Sequence, residues 1–507
     1  MHHSLGEINS VYNGQKLAIH AELKEWDIQS YPILSYHDIH LKVTCLSLAP
    51  HFDFGICIDL NNFPKLETFY GVNWEMIVDH EHPSLKDLYL DSVTFRKLPI
   101  NLKTLVASSS CTIEMNEDHP KLPALRVLVL EGTQESAYYS MLLQILWNKD
   151  LEHFSYCTEN ATNKDEIFSM IGPKVKHFEF FGRFSSRIPT SLRSLYNHGG
   201  KKSNMTAFTH MTSLTLDSPQ GSIAHLRFPP NLLKLSITFG KFKDLAKVDF
   251  PPKIVDLALE FCDITSAAGW LKPAGLKRLS LSGNKLSSFK VDLPCCEFLY
   301  LKDNSLTDVE IEAPALEHID ISENKLTSFP SLPGCLKVLI LSNNELDLSQ
   351  TPQLPSNVRR LDLLGAGTGT LQNYTFPSSL RELHLTEVNL SGMSGVKFAR
   401  GSKLKYLNLS SSSLNIIDDN MIELPPGLEM LDLFGNNLQS IDDLTIPQTV
   451  KFLDLGYNNL ESLKVEAHIE ILNLNENPIH LNFTVAKNSE LRVLDLMGIG
   501  LTEFSFD

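Results

Sequence analysis

A few sets of side chains in this sequence have the types and spacing that could do chemistry. His37-Asp38-Ile39-His40 and His80-Glu81-His82 are imidazole pairs of the kind that hold a divalent metal. A zinc centre needs four ligands, or three and a water. No further His or Cys pair stands at short spacing from either, so both read as structural or surface histidines and no metal is expected. Gly365-Ala366-Gly367-Thr368-Gly369-Thr370 could cradle a phosphate. Such a loop must open onto a helix N-terminus, and LQNYTFP, which follows, has no helical length. The serines, histidines and aspartates form neither a nucleophile elbow nor His-Glu-x-x-His, so no catalytic residue and no cofactor is expected. Two sets remain. The amides of Asn284, Asn304, Asn324, Asn344, Asn436, Asn458 and Asn477 recur in one context, and each can both donate and accept. Asp432 and Asp454, 22 residues apart in that same context, could attract a basic side chain or a cation.

Charge and composition narrow the partners. The 507 residues carry 44 Lys and Arg against 60 Asp and Glu, a net charge of −16. Nucleic acid and anionic membrane surfaces are both bound through Lys and Arg, so neither is expected as a partner. No run of about 18 apolar residues offers a membrane span. The start, MHHSLGEINSVYNGQ, lacks the basic and apolar regions of a secretion signal, and the eight cysteines lie at irregular spacings. They read as reduced thiols in a cytoplasmic or nuclear protein.

The context around the asparagines is a repeat. Residues 276–286 read LKRLSLSGNKL, and 296–306, 316–326 and 336–346 read CEFLYLKDNSL, LEHIDISENKL and LKVLILSNNEL. Aligned on LxxLxLxxNxL, 22 units begin between Val43 and Leu491 at spacings of 17 to 26 residues. A self-similar period of this size means a solenoid. Positions 4 and 6 alternate with polar positions 3, 5 and 7, so this part of each unit is a short strand with one buried face. Stacked in parallel about 4.8 Å apart, the strands give a sheet on the order of 100 Å long. A second apolar position, filled by Phe289, Val309, Phe329, Ile441, Leu463 and Phe504, supplies the other wall of the core.

Proline precedes the strand in most units, as in FPPNL at 228–232 and LPPGL at 424–428. It stops an outer helix and feeds an extended entry, so the central and C-terminal units should have extended or 3-10 outer sides. Residues 135–148 and 163–172 have helix length and periodicity and are expected to form short outer helices.

The pattern LP-x-x-L-x-x-L-x-L-x-x-N-x-L resembles the short-repeat class of leucine-rich-repeat proteins. That resemblance implies an α/β solenoid, a right-handed horseshoe with one long parallel sheet on its concave face and a helix-poor convex side. It also implies a non-enzymatic scaffold or adaptor that binds a protein on the concave face. The alternative is the recognition subunit of a ubiquitin ligase with a degenerate N-terminal F-box, although residues 1–42 lack that module's Leu-Pro start. Those residues are expected to cap the repeat domain of 43–507, with a helix over KLAIHAELKEWDI at 16–28 and Leu17, Leu23 and Trp26 as covering residues.

If the leucines and asparagines are structural, partner choice is written at positions 3, 5, 7 and 8. From Leu276 onward these hold ten acids (Asp303, Asp320, Glu323, Asp362, Glu382, Glu387, Asp432, Asp454, Glu476 and Asp495) against three bases, Arg278, Lys302 and Arg360. Phe298, Tyr300, His384, Tyr406, Asn408, Phe434, Phe452, Tyr457 and Asn473 lie on the same face. Position 2 is richer in bases, among them Lys277, Lys337, Arg359, Arg381, Lys405, Lys451 and Arg492. Two readings follow for the acidic face: a site for a basic protein partner, or an ordinary solvated polar surface. The last unit, LRVLDLMGIGLTEFSFD, has only EFSFD to cover Leu494, Leu496 and Leu501, so either that tail folds over them or that end is a second contact surface.

Overall fold

A computed structural model of the chain describes residues 17–23, 43–50, 56–72, 74–79, 81–95, 97–108, 111–113, 122–131, 146, 150–157, 164–200, 204–219, 225–350, 353–369, 371–390, 393–461, 463–466, 468–478, 483–485, 488–499 and 505–506. Two compact units divide the chain: Met1–Gln220 with Leu226–Leu235, and Gly221–His225 with Ser236–Asp507.

The first unit carries a ladder of parallel strands in sequence order, from Val43–Pro50 through Thr68–Val72, Asp87–Asp91, Thr104–Ser108, Val127–Glu131, His153–Cys157, His177–Phe181 and Ser194–His198 to Ser213–Asp217. Alternate residues point into the core, as at Leu88 and Leu90, both at most 2% exposed. The outer wall is a second parallel ladder of Ile56–Asp59, Trp74–Ile77, Thr94–Phe95 and Thr112–Ile113. The helix expected over 163–172 is present as Lys164–Met170. Its buried Ile167 and Phe168 face the core, and the Phe168 ring meets Phe178 and Phe180 edge-on at 5.1 Å. The segment 135–148 lies outside the described residues apart from Leu146.

The N-terminal expectation is corrected. Leu17–Leu23 is a strand, not a helix, and pairs in parallel with Val43–Pro50. LAIHAEL fits both periods, because Leu17, Ile19, Ala21 and Leu23 also alternate. An open strand edge next to it offers main-chain hydrogen bonds that tip the balance. Trp26 and the rest of 24–42 lie outside the described residues.

In the second unit the five-residue strand Asp256–Glu260 pairs with Arg278–Ser280, and from there each repeat supplies a three-residue strand whose partner is the next repeat's strand: Arg278–Ser280 with Phe298–Tyr300, then His318–Asp320, Val338–Ile340 and so on to Val493–Asp495. Leu279, Leu281, Leu299, Leu301, Ile319 and Ile321 are fully buried behind it. The outer side is extended, as the prolines require: Ser288–Asp292 pairs with Asp308–Glu312, and Leu463–Val465 with Phe483–Val485. Phe289, Val309, Ile441 and Leu463 are buried there, Phe329 is half-buried, and Phe504 lies outside the described residues.

All seven asparagines of the column are buried. The Asn304 Nδ2 donates to the carbonyls of Leu301 and of Leu281 in the preceding repeat, both at 3.0 Å, and its Oδ1 accepts from the Leu286 N–H at 3.0 Å. Where the column fails, other donors take over. The Cys262 thiol donates to Ile237 O at 3.3 Å, and the Ser412 hydroxyl donates to Leu385 O at 2.7 Å. Ala366 offers no donor, and the main chain substitutes: the Leu346 N–H donates to Ala366 O at 2.8 Å. Gly367 makes this approach possible, since a Cβ there would lie 2.0 Å from Leu346 O. The glycine-rich run is thus an outer strand, Gly367–Thr368 against Leu346–Asp347. The residue just before each asparagine takes a left-handed φ, as at Asp303, Glu323 and Tyr457 (φ 52 to 54°).

Asn304→Ala, which strands several buried main-chain groups, should cost about 2–4 kcal/mol in urea denaturation. Asp303→Gly, one residue earlier, should instead be neutral or stabilising by up to about 1 kcal/mol, because glycine relieves the left-handed backbone.

Candidate functional site

Strand register gathers the residues that sequence spacing selects. Pairing from repeat to repeat places Tyr300 beside Asp320, and then Ile340, Asp362, His384, Asn408, Asp432, Asp454, Asn473 and Asp495 in one row across the sheet. A second row, two residues earlier on each strand, runs Arg278, Phe298, His318, Val338, Arg360, Glu382, Tyr406, Met430, Phe452, Ile471 and Val493. Phe434 and Tyr457 stand on the far side of the first row, ring centroids 5.0 Å apart.

The aspartates of the first row have a structural duty that spacing alone does not show. In each, Oδ1 accepts the main-chain N–H two residues on: Asp320 from Ser322 at 2.9 Å, Asp432 from Phe434 at 3.0 Å, Asp454 from Gly456 at 2.9 Å and Asp495 from Met497 at 3.0 Å. Asn408 and Asn473 do the same, at 2.8 and 3.0 Å. This side-chain turn ends the strand and needs only one neutral oxygen. The negative charge on Asp432, Asp454 and Asp495 is therefore surplus to the fold.

Charge balance changes along the face. Arg360 lies 3.6 Å from Asp362 and 3.4 Å from Glu382, and Lys302 lies 3.0 Å from Glu323. The Arg278 guanidinium sits 4.4 Å over the Tyr300 ring. From Asn408 to Asp495 no base of the described residues forms an ion pair with Asp432, Asp454 or Asp495. Asp454 Oδ2 accepts from Asn473 Nδ2 at 3.1 Å. Burial holds the Asp432 carboxyl above the usual range against the Phe434 N–H bond, and the charge of Asp454 adds to the rise. The bases of position 2 are mostly answered by acids: Lys277 by Glu297 at 2.8 Å, Lys405 by Glu429 at 2.6 Å, and Arg492 by Glu470 at 3.3 Å. That flank is a charge-paired ladder rather than a free basic surface.

The histidine sets resolve differently. His82 is buried, its Nδ1 accepts the Leu85 N–H at 3.1 Å, and its Nε2 lies 3.2 Å from Leu60 O, so it holds a loop. His37 to His40 lie outside the described residues. In the first unit the structure gathers residues that reading from Leu276 onward passes over. Ser155, Glu179 and Tyr196 form one row, and Phe181, His198 and Asp217 form another, with Cys157 ending the strand that precedes Phe181's. The His198 Nδ1 is 2.6 Å from Asp217 Oδ2. Burial pushes the Cys157 thiol up to about 12, so it is no thiolate nucleophile at neutral pH. Reading positions 5 and 7 of the earlier repeats would have found this cluster.

The Leucine rich repeat family model matches residues 378–438, which hold Asn408, Asp432 and Asn436. Its pattern and the parallel coil coincide there, with Val388, Ser412 and Asn436 at successive turns. The chain has the leucine-rich-repeat fold. Among curated proteins, the protein phosphatase 1 regulatory inhibitor subunit PPP1R7 homolog of Arabidopsis thaliana is 27% identical over 164 residues, 30% of this chain and 49% of its own length. Toll-like receptor 9 of Mus musculus is 27% identical over 186 residues, 31% of this chain and 18% of its own. The chain thus spans at most about half the length of the curated relatives it matches. In the solved mouse RP105/MD-1 complex, one chain aligns with 90% of this chain and 85% of itself at 17% identity and a TM-score of 0.51, which is a likeness of fold.

The leucine-rich-repeat face yields a pH prediction. A carboxyl whose folded pKa is raised contributes stability that is fully present below its unfolded pKa and is lost as pH rises through the folded one. Asp432→Asn keeps the turn acceptor and removes this loss. At pH 7 it should be more stable than wild type by about 0.2–1 kcal/mol. The gap should close as pH falls to the ordinary aspartate value of 3.8. Thermal melts across that range would read it.

Proposed function

We propose that this leucine-rich-repeat protein is a non-enzymatic scaffold or adaptor whose sheet face from Asn408 to Asp495 binds a basic segment of a protein partner. The observation that carries the reading is the pair Asp432 and Asp454. They stand in register on adjacent strands, where like charges repel, although asparagine would serve the turn equally. A lysine or arginine from a partner would relieve that repulsion. Two further features support it. Charged and aromatic side chains are kept at left-handed positions, as at Tyr457 and Glu476 (φ 52 and 53°), where glycine would be less strained. Near the C-terminal end of the face, Val493 and Met497 are 52% and 67% exposed. The phosphatase regulatory subunit among the relatives is in keeping with a role exercised through another protein. Seven of the eight cysteines are free thiols, in keeping with a cytoplasmic or nuclear setting.

The test is affinity purification with mass spectrometry, wild type against the Asp432→Asn/Asp454→Asn double variant. Both substitutions retain the turn acceptors, so the fold should survive. The partner with a basic segment should be lost, with binding weakened about 10-fold or more. A partner set identical for the two proteins would defeat the reading.

A further inference from the structure

The row two residues before the acids changes character abruptly. Up to Glu382 it is mixed and charged, and from Tyr406 it reads Tyr406, Met430, Phe452, Ile471 and Val493 without interruption. Met430, Ile471 and Val493 are 39%, 38% and 52% exposed. Five consecutive rungs of apolar side chains on the solvated face of a sheet are unusual for a surface with nothing to bind. Alongside, on the same face, run Asn408, Asp432, Asp454, Asn473 and Asp495. The face thus has an apolar rail and an acidic rail, parallel to each other and perpendicular to the strands.

We propose that the partner element seated here is an amphipathic α-helix of about four turns, with one apolar stripe and Lys or Arg beside it. The proposal rests on the sheet-face reading above and names the partner's form. Spacing selects it. Adjacent strands are about 4.8 Å apart, so the five rungs of the apolar rail span about 19 Å. On a helix, apolar residues at i, i+3/i+4 and i+7 advance about 5.3 Å each, and five of them span about 21 Å. Same-face side chains of an extended segment advance about 6.7 Å, and five of them overrun the rail by more than one rung. A helix about 10 Å across also covers both rails at once. Its apolar stripe meets Phe452 and Ile471 while its basic flank meets Asp432 and Asp454. Aromatic side chains such as Tyr406 and Phe452 are of the kind that anchor such contacts.

The experiment pans a display library of 18-residue peptides on the full chain, with Val493→Glu and Asp454→Asn variants as counter-selection. The first variant charges an exposed position and the second preserves the turn acceptor, so neither should melt below wild type. The expected winners carry apolar residues at i, i+3/i+4 and i+7 with flanking Lys or Arg. As synthetic peptides they should lose 10-fold or more in affinity for either variant. One proline placed mid-peptide on the solvent side should abolish binding. Winners with strictly alternating apolar residues that still depend on Val493 and Asp454 would overturn the helix and leave the face reading standing. Enrichment indifferent to both variants, or none at all, would overturn both. Self-association of the wild-type chain that Val493→Glu abolishes would make a second copy the occupant and overturn the helix.

Discussion

Everything in this chain depends on one requirement: at each turn of the coil, main-chain groups carried into the interior must find hydrogen-bond partners away from water. An asparagine amide meets it best, because one short side chain both donates and accepts. The leucines explain why the coil closes on an apolar core, but they would pack equally well in looser arrangements. The amide sets the pitch, since its donor reaches into the preceding repeat and its acceptor holds the same neighbour. Where it is missing, a thiol, a hydroxyl or the main chain itself takes the post, at Cys262, Ser412 and Ala366. The chemistry of the substitute varies while the requirement does not.

The same economy governs the face where a partner would bind. A side chain at the strand end must cap the strand before it can serve anything else. Asp432 and Asp454 do both, one oxygen turned to the main chain and the carboxylate charge left over. An acidic row on such a sheet is therefore weak evidence of binding when it is counted letter by letter. It becomes informative where bases fail to answer it and apolar side chains line up beside it. Both conditions are met together from Asn408 onward and not between Tyr300 and His384, where Arg278, Arg360 and Lys302 stack on or pair with their neighbours.

Much of this was legible in the sequence because the repeat converts spacing directly into place. The parallel ladder, the buried asparagines, the extended outer walls and the register of the acidic row all follow from counting along LxxLxLxxNxL. What escaped was decided by competition or by the main chain. Leu17–Leu23 reads as helix or strand with equal ease, and a neighbouring strand edge settled it. The turn bond of Asp432 depends on where the Phe434 N–H points, which no residue pattern states. Ser155, Glu179 and Tyr196 were passed over because the early repeats are irregular in length and their rungs are harder to align.

The backward reach of the asparagine has a consequence for how the molecule is made. Asn304 completes a turn that began at Leu281, in the repeat before its own, so a coil emerging from the ribosome is unfinished until roughly one more repeat has followed it. At about 5–20 residues per second that wait is on the order of one to four seconds for each rung. During it, the newest apolar strand lies open at the growing end. The chain is built like a wall whose mortar arrives with the next course, and a pause in synthesis at any repeat would leave that repeat's leucines exposed to whatever protein is nearby.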